Sequence, residues 1–285
     1  MRPYPKSAPV LIKESLPIRL SKKGVNLQLS AEEDVYVYDK LIEACINSEQ
    51  ALDSITFLKQ SRNRSVFLLK LPNKNVLIKK LMFTGIWQLL RYRNYAFSEA
   101  ANLILAKKRG LQVPQVLGLV NRFVDSKAAW SAVAMEFIPG TLMRDQIIQQ
   151  EMSPERKIDL INRAINPLRE MYLRGIHHID YGPHAIILSQ DPTQQDTSID
   201  FQYSSFYQRP VPENAVHQAA YFCWSVSTNQ CWINAKDAES WFERVMMTLE
   251  IEKTKMLYKI FHNSLKVRLP TSQRIAGFSE WDSRL

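Results

Sequence analysis

His178 and Asp180 stand two apart, just past a helical pattern that ends at Gly175. A second acid with apolar neighbours, Asp200, follows about twenty residues later. Between them runs the apolar stretch Ala185-Ile-Ile-Leu188, which reads as part of a hairpin. Two carboxylates arranged this way suit phosphoryl transfer. One can orient a hydroxyl and take its proton, and the other can hold a magnesium ion that bridges phosphate oxygens. Asp180 is the candidate base, able to accept the proton and still ionised at neutral pH. Asp200, in Thr197-Ser-Ile-Asp-Phe201, is the candidate metal ligand. His184 could hold a second metal or orient a phosphate, and because magnesium prefers oxygen to imidazole both readings stand. His178 suits a structural role, fixing its loop through backbone hydrogen bonds.

The elements around these residues must place them. Ser153-Pro-Glu155 opens a long helix, with serine as cap and proline in the first turn. Ile158, Ile161, Ile165, Leu168 and Tyr172 form its expected core stripe, Pro167 should kink it, and Gly175 should stop it. Upstream, three strands are expected at Ile55–Lys59, Val66–Leu71 and Val76–Leu81, and a pair at Val116–Val120 and Trp130–Phe137. Lys79 sits on the third strand with Lys80 beside it, and a slip of one residue would exchange which points inward. Glu99 borders the apolar face Ala96, Ala100, Leu103 and Ile104 of a helix over 94–106. It is either a surface acid met by Arg91 or Arg93, or the partner of Lys79. Ser30-Ala-Glu-Glu33 has the form of a capping box for a helix to Ile46 carrying Val35, Tyr38, Leu41 and Ile42. Residues 1–30 read as an extended arm with room for one strand. Helices are expected again at Ala215–Trp224, Ala238–Leu249 and Thr254–Leu265, with Trp224, Trp232 and Trp241 as core aromatics and a polar tail from Lys266.

His178-Ile-Asp180 with Asp200-Phe-Gln202 resembles the catalytic loop and metal-binding Asp-Phe-Gly of the protein-kinase-like fold. The variant is similar to the lipopolysaccharide core-sugar kinases of Gram-negative bacteria, which phosphorylate heptose or Kdo. Val76-Leu-Ile-Lys79 resembles the lysine motif of that fold, and Gly110-Leu-Gln-Val-Pro114 a pattern these sugar kinases share with aminoglycoside phosphotransferases. The resemblance implies an α+β, bilobal chain. Residues 1–50 would form an N-terminal arm and helix. Residues 51–137 would form a small nucleotide-covering lobe, an antiparallel sheet plus one main helix. Residues 138–285 would form a larger, mainly helical catalytic lobe. ATP and magnesium would be the cofactors. Lys79, positioned by Glu99, would meet the phosphates, and Glu136 to Ile138 in the crossover would lie against adenine. Three departures stand out. The turn Ser61-Arg-Asn-Arg-Ser65 has no glycine, so Arg62, Arg64 and hydroxyls would have to face the phosphates. Ile179 replaces the usual arginine, and His184 follows Asp180 by four residues rather than five. These features motivate the alternative, a pseudokinase or regulatory binding module of the same fold. Only Tyr203–Pro212 separates Asp200 from the next helix, so a protein substrate is not expected.

The composition, with 46% apolar and 23% charged residues, is that of an ordinary globular chain. Cys45, Cys223 and Cys231 lack metal-ligand spacing and read as reduced thiols. Neither a signal-peptide pattern nor a membrane-spanning apolar run is visible, so a cytoplasmic protein is expected, and the resemblance implies that it is peripheral on the inner face of the inner membrane. The charge is uneven. From Ser54 to Val124 there are 13 Lys or Arg and one acid, Glu99, a balance of +12, while the whole chain carries +9. Such a segment calls for anionic neighbours, with nucleotide phosphates, an anionic membrane surface and nucleic acid as candidates, while the resemblance implies a lipid-linked core oligosaccharide as the substrate. Nucleic acid is not expected, because the basic residues carry no RNA-binding motif and no regularly interleaved aromatics.

Overall fold

The computed structural model describes residues 8–22, 24–30, 35–46, 53–92, 94–124, 127–148, 152–191, 193–230 and 235–266. The chain divides into two units. The first takes Met1–Lys108 and Pro114–Phe137, the second Arg109–Val113 and Ile138–Leu285.

In the first unit the elements run α1 (Ala8–Ser15), β1 (Ile18–Lys22), β2 (Val25–Leu29), α2 (Val35–Ile46), β3 (Ile55–Gln60), β4 (Arg64–Lys70), β5 (Asn75–Met82), α3 (Ile86–Tyr92), α4 (Tyr95–Lys108), β6 (Val116–Val124) and β7 (Lys127–Glu136). The seven strands form one sheet in the order β1-β2-β6-β7-β5-β4-β3, antiparallel throughout. The N-terminal stretch is therefore not an extended arm. It supplies α1 and a hairpin that lengthens the sheet, with β2 paired to β6. Val25, Leu27 and Leu29 alternate into the core, and this period of two is the signature of a half-buried strand.

One face of the sheet is covered by α2. Val37, Leu41, Ile42 and Cys45 from the helix join Phe67, Leu69, Val76, Ile78, Val120, Trp130 and Ala132 from the strands in one apolar cluster. The capping box at Ser30–Glu33 and the side chains of Val35 and Tyr38 lie outside the described residues. The other face meets α4, which packs against β5, β6 and β7 and buries Ala96, Ala100, Leu103 and Ile104 as expected.

The second unit runs β8 (Thr141–Leu142), α5 (Met143–Ile147), α6 (Pro154–Arg163), α7 (Ile165–Leu173), β9 (Ile176–His178), β10 (Ile186–Leu188), β11 (Thr197–Ser198), β12 (Ser204–Phe206), α8 (Pro212–Gln230), α9 (Ala235–Thr248) and α10 (Lys255–Lys266). With a sheet-rich first unit and a mainly helical second one, the chain has the α+β character expected.

Ser153 caps α6, its hydroxyl accepting from Arg156 N at 3.4 Å. The expected single helix is two, α6 and α7, meeting at Ala164. Pro167 explains the break, because it offers no N–H to the carbonyl four residues back, at Arg163. Ile161, Ile165 and Leu168 are buried, but Ile158 is 44% exposed and leaves the stripe. Gly175 follows α7 at φ +62°, and a Cβ there would lie 2.5 Å from Tyr207 O, so both backbone conformation and space demand glycine.

The helical core is aromatic. Phe222 stacks on Trp241 at 4.9 Å, and Trp241 Nε1 donates to Ile161 O. Trp224 is half-buried and stacks on Tyr221. Trp232, Cys231 and the tail beyond Lys266 lie outside the described residues. Cys45 and Cys223 are buried thiols, and burial pushes Cys45 up to about 12 and Cys223 higher still.

Candidate functional site

In the first unit the register settles which lysine meets the acid. Residues of β5 alternate faces, so Val76, Ile78 and Lys80 turn to the α2 side while Lys79 turns to the α4 side. Lys79 Nζ and Glu99 Oε1 form an ion pair. Both residues are buried, Lys79 at 6% and Glu99 at 0% exposure. Lys80 is buried too, with its ammonium over the Trp130 ring at 5.2 Å. An ion pair withdrawn from water gains little net stability, since desolvation offsets most of the attraction. What the arrangement does supply is an amine held in one place. Glu136, at the end of β7, is exposed and accepts from Gln115 N at 3.2 Å, and the last ladder bond beyond it runs from Phe137 N to Asn75 O. Ile138 begins the longer stretch of the second unit, past that ladder.

In the second unit two small sheets bring the acid-bearing loops together. Asp180 comes two residues after β9, and β9 pairs with β12 through Ser204 and His178. Asp200 lies between β11 and β12, while β11 pairs with β10 through Ser198 and Ile186. The turn from β11 into β12 is therefore tied to the turn after β9. His178 strengthens the tie. Its ring is buried, Nε2–H donates to Ile199 O at 2.8 Å, and it packs edge-on against Phe201. This is the loop-fixing geometry expected of His178. The next residue but two, Tyr181, is fully buried, its hydroxyl bonded to Ala164 O.

Asp200 adopts φ 68°, ψ 46°, the left-handed region. Outside glycine that conformation costs about 1–2 kcal/mol, and Asp tolerates it better than most. Strain of this kind persists where flanking structure dictates it, here β11 before and β12 after.

The carboxylates of Asp180 and Asp200 both act on the rings of His178 and His184, so the four residues form one electrostatic cluster. Burial nevertheless prevails and lowers the pKa of both histidines from the ordinary value. His184 is seated by its neighbour. A Cβ on Gly182 would lie 2.9 Å from His184 Cε1 and 3.1 Å from Ser225 Oγ, so glycine is needed for the ring to sit there. Among the described residues no three His, Cys, Asp or Glu side chains gather closely enough to hold a metal by themselves. Magnesium does not require such a cage. It takes one or two protein carboxylates and fills its octahedron with phosphate oxygens and water, so a lone carboxylate such as that of Asp200 is compatible with a nucleotide-borne ion.

One residue that sequence reasoning passed over holds this frame. Arg109 donates through Nη1 to Arg174 O at 2.6 Å and Tyr207 O at 2.7 Å, and lies over the Phe206 ring. It ties the end of α7 to the end of β12. No local signal distinguishes it from its basic neighbours Lys107 and Lys108, because its partners are carbonyls 65 and 98 residues away.

Acid should weaken the fold through its buried histidines. Burial lowers His217 from 6.5 to about 4, and its Nδ1 is hydrogen-bonded with Ser264 Oγ at 3.1 Å. His178 and His184 shift the same way. The unfolded chain takes up protons first, near pH 6.5, so this stability is intact above that pH and is lost as pH falls toward the folded values. His217 alone accounts for at most about 3 kcal/mol. The urea midpoint is expected to drop between about pH 7 and pH 4.5, with a shallower drop in His217→Gln. Equal pH profiles in the two proteins would remove His217 from this account.

No family model and no curated protein sequence matches the chain. Among solved structures, one similar chain is that titled "WaaP in complex with acyl carrier protein", with 14% identity, TM-score 0.43, and 90% of this chain and 96% of that one covered. Another is titled "Structure of vaccinia related kinase 3", with 11% identity, TM-score 0.42, and coverage of 95% and 92%. Any chemical reading of the present chain rests on its own side chains.

Proposed function

We propose that this protein is an ATP-dependent phosphotransferase whose acceptor is a hydroxyl of a lipopolysaccharide inner-core sugar, heptose or Kdo. The observation that carries the reading is the buried Lys79–Glu99 pair. Its lysine stands on strand β5 and is answered from helix α4, the order in which the protein-kinase-like fold positions an amine for nucleotide phosphates. The clustering of Asp180, His184 and Asp200 supports the same reading, as does the short passage from Asp200 to α8, which leaves little room for a segment that docks a protein substrate.

Lys79 would neutralise charge on the phosphates, and Glu99 would keep its ammonium from wandering. Asp180 would orient the acceptor hydroxyl and receive its proton as the bond to phosphorus forms. Asp200 would hold magnesium, which supplies charge neutralisation on the phosphate oxygens when bound. His184, wedged against Gly182, would accept or ligate at the phosphate side. The backbone from Glu136 to Ile138 would offer its amides and carbonyls to adenine. The protein would work in the cytoplasm, where ATP is, on an acceptor anchored in the inner membrane.

Purified protein is expected to show a higher Tm with Mg-ATP than with magnesium alone, and to transfer label from the γ-phosphate to Kdo- or heptose-bearing core oligosaccharide. Stabilisation without transfer would favour the binding-module alternative, for which the glycine-free Ser61–Ser65 turn and Ile179 speak. No stabilisation by any nucleotide would remove the proposal.

A further inference from the structure

We propose that α3 is a docking helix that seats the protein on an anionic lipid surface. This helix follows β5 and carries Ile86 at 55%, Trp87 at 80% and Leu90 at 52% exposure. Positions i, i+1 and i+4 fall on one side of a helix, so the three side chains form a single ridge. Isolated exposed apolar residues are ordinary on a soluble protein, but three adjoining ones that include a tryptophan form a patch.

The helix is already built. Thr84 N and Oγ1 both donate to Gln88 Oε1, at 3.0 and 2.9 Å, and Leu89 N donates to Gly85 O. Leu89, on the flank of the ridge beside Ile86, is half-buried. No ordering cost then falls on the docking step.

Charge selects the occupant. Between Ser54 and Val124 the one acid is Glu99, and it is buried against Lys79. The exposed surface of this stretch therefore presents cations without carboxylates. Two of them lie at the same end of the sheet as α3. Met82 N, at the end of β5, donates to Asn63 O, which sets the Ser61–Arg64 turn at the base of the helix. Arg62 in that turn and Lys59 at the end of β3 are exposed, and Leu58, 54% exposed at a bulge in β3, adds an apolar neighbour.

A protruding apolar ridge fits a fluid interface, which yields around it, better than a protein partner, which would have to carry a matching groove. Tryptophan favours the headgroup level, and flanking Lys or Arg add attraction to anionic lipid. None of the described helices is long and apolar enough to cross a membrane. Attachment through α3 would be from one side. It would also bring the protein to a lipid-linked acceptor, but the inference does not depend on phosphotransfer.

The test is co-sedimentation with vesicles, without nucleotide or acceptor. Binding is expected to vesicles rich in phosphatidylglycerol, to be weak on phosphatidylcholine alone, and to fall with added salt. Replacing Trp87 and Leu90 by serine should lower binding about tenfold or more, with far-UV circular dichroism and Tm unchanged because both side chains are exposed. Equal binding of the variant, or equal binding to uncharged vesicles, would overturn the proposal. So would a parent protein that ignores lipid but self-associates, or that binds an acidic protein, through these same residues.

Discussion

Asp180→Asn is expected to slow phosphoryl transfer about 10²–10⁴-fold, the range over which a positioned general base acts. Asparagine keeps the shape of the side chain but loses its negative charge and its capacity to take a proton. The half-buried site should accept it without rearrangement, and the β9–β12 pairing that sets the loop does not involve this residue. Affinity for the nucleotide should stay within a few fold, so the loss would appear in kcat rather than in KM. Single-turnover transfer of the γ-phosphate, with circular dichroism as a fold control, reads this directly. A rate equal to the parent's would sink Asp180 as the base.

The second large effect concerns Lys79 and Glu99. Lys79→Met leaves Glu99 buried without its ammonium, and removing one member of a buried pair costs about 3–5 kcal/mol. Poor stability in that variant would say nothing about function. Adding Glu99→Met removes the orphaned charge, and replacing both charged groups with apolar ones is often neutral or stabilising. The double variant is therefore expected to recover much or all of the lost Tm and yet show no shift with Mg-ATP. Recovery of the nucleotide response together with the fold would assign the pair a purely structural role.

The sequence was most legible where pattern and local chemistry agree. Strands β3, β4 and β5 lie within a few residues of their expected bounds, because apolar runs separated by polar turns leave few alternatives. The buried face of α4 follows directly from spacing. The Ser153 cap and the Gly175 stop were visible for the same reason. Long-range pairing was not visible. Nothing in Val25–Leu29 announces that it will pair with β6, about ninety residues on, so the hairpin passed for an arm. Lys79 and Lys80 were separable only by register, which the sheet fixes and the local sequence does not. In the site, the acids and His178 stood out as residue types. The left-handed turn at Asp200, the seat that Gly182 makes for His184 and the grip of Arg109 depend on three-dimensional neighbours that no spacing rule reaches.

The grip of Arg109 bears on how the gene can be cut. The second unit is not one continuous stretch, because Arg109–Val113 belongs to it although the rest begins at Ile138. A fragment started at residue 138 would leave the carbonyls of Arg174 and Tyr207 without their guanidinium, beside the loops that carry both acids. Such a truncate is not an autonomous half of the molecule, and any attempt to graft or swap the acid-bearing unit must carry this short upstream segment with it.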